Sequence, residues 1–150
     1  MLIEQFPENY RQRIVIHDHF PLATEYHLGG IHLNSRNPEP LPNHAGSVSR
    51  SCHTLREVIK YKPDCDYLFL SPIYDSISKE GYGSTFAKET LREARRQGII
   101  DAKVIALGGV CLAHLPEIRS LGFGGAAVLG AVWNHPGKDF VEYFKQLNAL

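Results

Sequence analysis

The sequence predicts an α/β fold of the (βα)8-barrel type, in which the last six strands are present. Three observations carry this reading. Short apolar runs alternate with helix-like stretches along the chain, and repeated βα units imply a parallel sheet with helices outside it. The two most glycine-marked strand ends, KVIALGGV at Lys103–Val110 and GGAAVLGAV at Gly124–Val132, fall late in the chain. A doubly wound open sheet places its glycine-rich phosphate loop after the first strand, whereas the loops after the last two strands of a barrel often form its phosphate site. Finally, six strands can be counted where a closed barrel needs eight, and Met1 opens on a helix-like stretch. Residues 1–150 therefore read as one domain, the last three-quarters of a barrel, with its first two strands absent.

Each element has a local reason. Met1–Arg13 reads as the end of a helix broken near Pro7, and Arg13–His19 (RIVIHDH) as a strand whose apolar run stops at a polar cluster. Pro21–Leu28 forms about two turns of helix, with Pro21 suited to the first turn. Gly30–Leu33 is a short strand, followed by a loop rich in Asn and Pro over Asn34–His44. Gly46–His53 is a weak strand, and Thr54 with Glu57 predicts a capping box opening a helix over Leu55–Tyr61. Asp66–Ile73 is the clearest strand, closed by Pro72, and Tyr74–Gly83 is a polar loop. A long helix is expected from Ser84 or Thr85 through Gln97, stopped by Gly98. After the strand in KVIALGGV come a helix near Leu112–Leu121, the strand from Gly124, and a final helix over Lys138–Leu147. That last helix places Phe140, Val141, Phe144 and Leu147 at helical spacing.

Composition narrows the function classes. Of the 150 residues, 43% are apolar and 21% charged, which suits one globular core and not a disordered chain. The formal net charge is +0 with no basic block, so neither nucleic acid nor a membrane surface is indicated as a partner. The odd count of three cysteines, Cys52, Cys65 and Cys111, without CxxC spacing, reads as reduced thiols of a cytoplasmic protein. Glycine at the end of a buried strand lets backbone N–H groups approach a ligand closely. The amides at the ends of KVIALGGV and GGAAVLGAV are therefore expected to cradle a phosphate at the helix N-termini that follow. Among the eight histidines, His17, His19 and His32 cluster at strand ends, but no pair has the i, i+4 spacing of a strong zinc motif.

Five segments in order, IHDHFPLATEYHLGGIHLNSRN, SRSCHTLREV, DYLFLSPIYDSISK, VIALGGV and GFGGAAVLGAV, resemble those of the thiamine phosphate synthase/TenI superfamily. They span Ile16–Val132. The resemblance implies a condensation of hydroxymethylpyrimidine diphosphate with thiazole phosphate, releasing pyrophosphate, in thiamine biosynthesis. Charge on the departing pyrophosphate calls for Mg²⁺, cationic side chains and hydrogen-bond donors. By the same resemblance Asp18 stands at the first Mg²⁺ ligand and Asn37 where a second aspartate belongs, which weakens metal affinity. His17 replaces a substrate-contacting asparagine, and Ser51 matches a pyrophosphate-contacting serine. Ser76 and Ser78 replace two phosphate-loop threonines, and Lys79 matches a lysine that reaches the diphosphate. Gly109, Leu129 and Gly130 then hold the thiazole phosphate, and a Gln-x-Arg segment that grips the pyrimidine diphosphate would lie upstream of Met1.

Two alternatives come from the same residues. His53 matches a proton-shuttling histidine of the TenI-like thiazole tautomerase, a role suited to imidazole near neutral pH, and Arg36 in LNSRN is closer to the tautomerase pattern. The third reading is a phosphate-binding relative without catalysis. All three expect small phosphate molecules as ligands. Strands with an unpaired edge, Arg13–His19 and Gly124–Val132, predict homo-oligomer formation.

Overall fold

The computed structural model describes residues 2–75, 86–134 and 137–148. Ser76, Ser78, Lys79, Ser84 and Thr85 lie outside these. Among the described residues, six parallel strands form one sheet in sequential order: β1 (Val15–Ile16), β2 (Gly30–Leu33), β3 (Ser47–Cys52), β4 (Tyr67–Leu70), β5 (Val104–Ala106) and β6 (Gly125–Ala126). Neighbours in sequence are neighbours in space, the wiring of a (βα) barrel wall and not of a doubly wound sheet. Among the described residues, β1 and β6 each pair on one side only.

The helices are α1 (Glu8–Arg11) before β1, then α2 (Pro21–Glu25), α3 (Leu55–Tyr61), α4 (Lys88–Arg96) and α5 (Leu115–Ser120) between strands, and α6 (Gly130–Trp133) and α7 (Lys138–Asn148) after β6. α3 begins where its cap predicts. The Thr54 hydroxyl accepts from the Glu57 amide at 3.1 Å, and the Glu57 carboxylate accepts from the Thr54 amide at 3.0 Å. Gly98 and Gly122, at φ of +69° and +80°, follow α4 and α5 in the left-handed conformation that closes a helix.

Strand register separates two faces. His32 pairs with Ser49, Ser49 with Tyr67, Ser51 with Phe69 and Phe69 with Ile105, and residues in register share a face. The alternate residues Leu68, Leu70, Val104 and Ala106 point the other way and join Val58, Leu91, Ala94, Ile118 and Leu121 from the helices in the main core. A smaller cluster of Phe20, Ala23, Leu28, Ile31 and Leu33 fills the β1–β2 end. Cys52 and Cys65 are free and buried in the main core, and burial pushes the Cys52 thiol up to about 12.

Two expectations change. The strand expected over Gly124–Val132 is only β6, and Gly130–Trp133 is helical. Ala131 and Val132 are buried on that helix, so the apolar run is continuous while its geometry is not. The helix expected from Ser84 or Thr85 is helical from Lys88, because Ala87 is extended at φ −66° and ψ 142°. Leu91 and Ala94 dock α4 from that point. No helix among the described residues is long and apolar enough to cross a membrane.

Candidate functional site

The described polar residues among those singled out in the sequence collect at the C-terminal ends of the strands, where side chains and loop amides of a parallel barrel converge. They form three groups.

The innermost is built on strands. His32, 3% exposed, is held between two serines of β3: Nδ1 lies 2.9 Å from Ser49 Oγ and Nε2 3.0 Å from Ser51 Oγ. Ser49 Oγ donates to the Ile31 carbonyl at 3.3 Å, so it accepts from His32 Nδ1–H. His32 Nε2 is then the acceptor, and Ser51 donates its proton to it. That tautomer is assigned from the bonds around the ring. Burial, followed by the nearby His17 and Arg50, lowers the His32 pKa to about 4, so the ring is neutral in this wall. His17, just past β1, stacks on His32 with ring centroids 4.3 Å apart, and Phe69 flanks it at 5.5 Å.

The second group is built on loops. Asn34 Oδ1 accepts from the amides of Arg36 and Asn37 at 2.9 and 3.0 Å, folding the loop after β2 back toward Asp18. Arg36 then grips Asp18 in a bidentate pair, Nε to Oδ1 at 3.2 Å and Nη2 to Oδ2 at 2.7 Å. Asn37 Nδ2 donates to Asp18 Oδ1 at 2.8 Å. The Arg36 guanidinium, with help from Asn37, holds the Asp18 carboxyl below its ordinary range. Asp18 and Asn37, the residues expected to hold Mg²⁺, are thus adjacent, but they do not fit the ion as they stand. The carboxylate is spent on a guanidinium, and the amide turns a donor toward it. Among the described residues no group of three or more His, Cys, Asp or Glu is placed to hold a metal.

The third group is mostly main chain. Gly108 and Gly109 follow β5 at φ of +91° and +63°. A Cβ on Gly109 would lie 2.2 Å from the Asp75 carbonyl oxygen, so the glycine is required by the close approach of the loop after β4. Its carbonyl accepts from His114 Nδ1 at 3.1 Å. No hydrogen bond within the described residues takes the N–H groups of Gly109, Leu129 or Gly130. Leu129 directs an exposed side chain outward just before α6.

His53 stands between these groups, after β3. Its Nδ1–H donates to the Ser71 carbonyl at 3.0 Å, which leaves Nε2 as a proton acceptor. His17, Asp18, Asn37, Ser51 and His53 are therefore assembled by adjacent strands β1–β4, and Gly109, Leu129 and Gly130 by β5 and β6. Ser49 and Ser71 had no role in the sequence reading, and His32 entered it only as a possible zinc ligand. The alternation of Ser47, Ser49 and Ser51 along β3, and of Gly30 and His32 along β2, was the available signal.

Fold and site together define a parallel βα-barrel protein whose polar residues gather at the strand ends. The thiamine monophosphate synthase family model matches residues 2–132, and the chain belongs to that family. Thiamine-phosphate synthase of Latilactobacillus sakei is 27% identical over 131 residues, covering 82% of this chain and 57% of that protein. The same enzyme of Methanocella arvoryzae is 27% identical over 142 residues, covering 91% and 65%. The chain thus spans about three-fifths of the length of these curated relatives. The crystal structure of thiamine phosphate pyrophosphorylase from Bacteroides thetaiotaomicron is 46% identical with a TM-score of 0.87, covering 98% of this chain and 74% of that one. The Pyrococcus furiosus thiamine phosphate pyrophosphorylase, 19% identical with a TM-score of 0.68, shares the fold.

Proposed function

We propose that this chain acts as a thiamine phosphate synthase-type transferase. A thiazole phosphate nitrogen attacks the methylene carbon of hydroxymethylpyrimidine diphosphate, the carbon–oxygen bond to the diphosphate breaks, and pyrophosphate leaves. The observation that carries the reading is the 46% identity to a thiamine phosphate pyrophosphorylase over nearly the whole chain. The amides at Gly109, Leu129 and Gly130, without a partner among the described residues, support a phosphate at the β5–β6 ends. Arg36 and Lys79 would supply positive charge for the leaving group, with Ser76 and Ser78 beside it. Ser51 would contact the pyrophosphate by turning its hydroxyl proton from His32 Nε2 to a phosphate oxygen. His17 would face the pyrimidine. Mg²⁺ is the ion the family's chemistry implies, but Asp18 and Asn37, the residues expected to hold it, do not fit it while Arg36 grips the Asp18 carboxylate. The same reading makes this a cytoplasmic enzyme of small phosphate substrates that self-associates through the single-sided strands β1 and β6.

A second reading, isomerisation of a thiazole carboxylate phosphate, is favoured by one observation: His53 Nε2 is left as an acceptor by the bond from Nδ1–H to Ser71. One assay separates the two. Purified protein receives both thiamine precursors and is scored for thiamine phosphate, and product formation is expected. No product, with isomerisation that His53→Ala abolishes, would replace the first reading by the second.

A further inference from the structure

The loop corner of Asp18, Arg36 and Asn37 carries a different charge balance from the one its family resemblance implies. Two carboxylates in this place would hold two negative charges, which a divalent cation neutralises. Here Asn37 contributes none, Asp18 contributes one, and the Arg36 guanidinium cancels it at 2.7 Å. The corner is neutral without any ion. Mg²⁺ sheds water reluctantly and asks for oxygen ligands in near-octahedral array. To enter here it would have to displace a bidentate guanidinium and reverse an amide whose NH₂ already faces Asp18. Arg36 also keeps donors in reserve. A guanidinium carries five N–H bonds, of which the pair with Asp18 uses two, and the side chain is largely exposed.

We propose that Arg36 takes the place of the divalent cation in this chain, so that the corner receives a diphosphate-type anion directly on the guanidinium, without metal. Asp18 then acts as the positioning residue that aims Arg36, and Asn34 shapes the loop that delivers it. The proposal rests on the synthase reading only for the ion that the corner would otherwise recruit.

Two measurements on the full chain, neither using a thiamine precursor, test this apart from the proposed reaction. The first is titration with Mn²⁺, an octahedral oxygen-seeking probe, followed by the electron paramagnetic resonance signal of the free ion. The native chain is expected to leave that signal unchanged up to roughly millimolar ion, whereas the double variant Arg36→Ala/Asn37→Asp takes Mn²⁺ up. Uptake by the native chain that Asp18→Asn abolishes would overturn the proposal. So would failure of the folded double variant to bind, since the corner would then hold no latent cation site. The second is calorimetry with inorganic pyrophosphate, in EDTA and in excess MgCl₂. Affinity is expected to agree within about twofold between buffers and to fall about tenfold in Arg36→Ala, the loss of one charge-assisted contact. Binding that disappears in EDTA, or that is absent from both buffers, contradicts the proposal.

Discussion

The β1–β3 half of the site and the β5–β6 half present different kinds of chemistry. The first uses side chains: His17 on His32, Ser51 on His32, and Arg36 on Asp18. The second uses backbone, with Gly108 and Gly109 in left-handed turns and the amides of Leu129 and Gly130 free of partners among the described residues. Amides are present whatever the side chain, so the second half offers its donors with little demand on sequence beyond its glycines. The first half changes character with one substitution, as Asn37 and Arg36 illustrate. Main-chain donors and side-chain groups are therefore carried by separate strands of this fold.

The comparison breaks most sharply at Gly109. A Cβ there meets the Asp75 carbonyl oxygen at 2.2 Å, and φ is +63°. Gly109→Ala should cost about 3 kcal/mol or more of stability, because backbone must shift and the left-handed conformation becomes strained. Chemical denaturation measures it. A loss under 1 kcal/mol, on the order of an ordinary surface change, would mean the turn is not fixed by this approach.

The side-chain half should show itself through pH. His32 has a folded pKa of about 4 against an ordinary 6.5. Between those values the unfolded chain binds a proton that the native chain refuses, so stability rises with pH across this window and is lost as pH falls from 6.5 toward 4. The full span corresponds to about 3 kcal/mol, an upper value for one group. Denaturation midpoints at pH 7 and pH 4.5 should differ accordingly, and His32→Gln should flatten the slope. An equal slope in that variant would assign the effect elsewhere.

Smaller effects sharpen the boundary between the halves. Thr54→Ala removes the cap that orders the residues after His53 and should cost about 1 kcal/mol, readable as a lower melting midpoint. Arg36→Ala, at an exposed pair, should leave the melting midpoint unchanged within error while altering anion binding. A large drop in the midpoint would make Arg36 a structural residue.

How much of this was legible depended on whether the cause was local. β2 and α3 have the bounds that Gly30–Leu33 and the Thr54–Glu57 box predict, because both are set within a few residues. β6 was overread because Ala131 and Val132 are as buried in a helix as they would be in a strand. The resemblance put Asp18 and Asn37 at one corner and they lie 2.8 Å apart, but the grip of Arg36 on Asp18 depends on a loop turned by Asn34. The pairing of His32 with both Ser49 and Ser51 depends on the β2–β3 register. Neither arrangement is set by spacing along the chain.

The separation of the two halves is tested most directly by amide nuclear magnetic resonance with inorganic phosphate added to the labelled chain, in EDTA and again in MgCl₂. Phosphate should shift the amides of Gly109, Leu129 and Gly130 alike in both buffers, with smaller changes at Arg36. Shifts confined to Asp18, Arg36 and Asn37, and appearing only with Mg²⁺, would contradict the account.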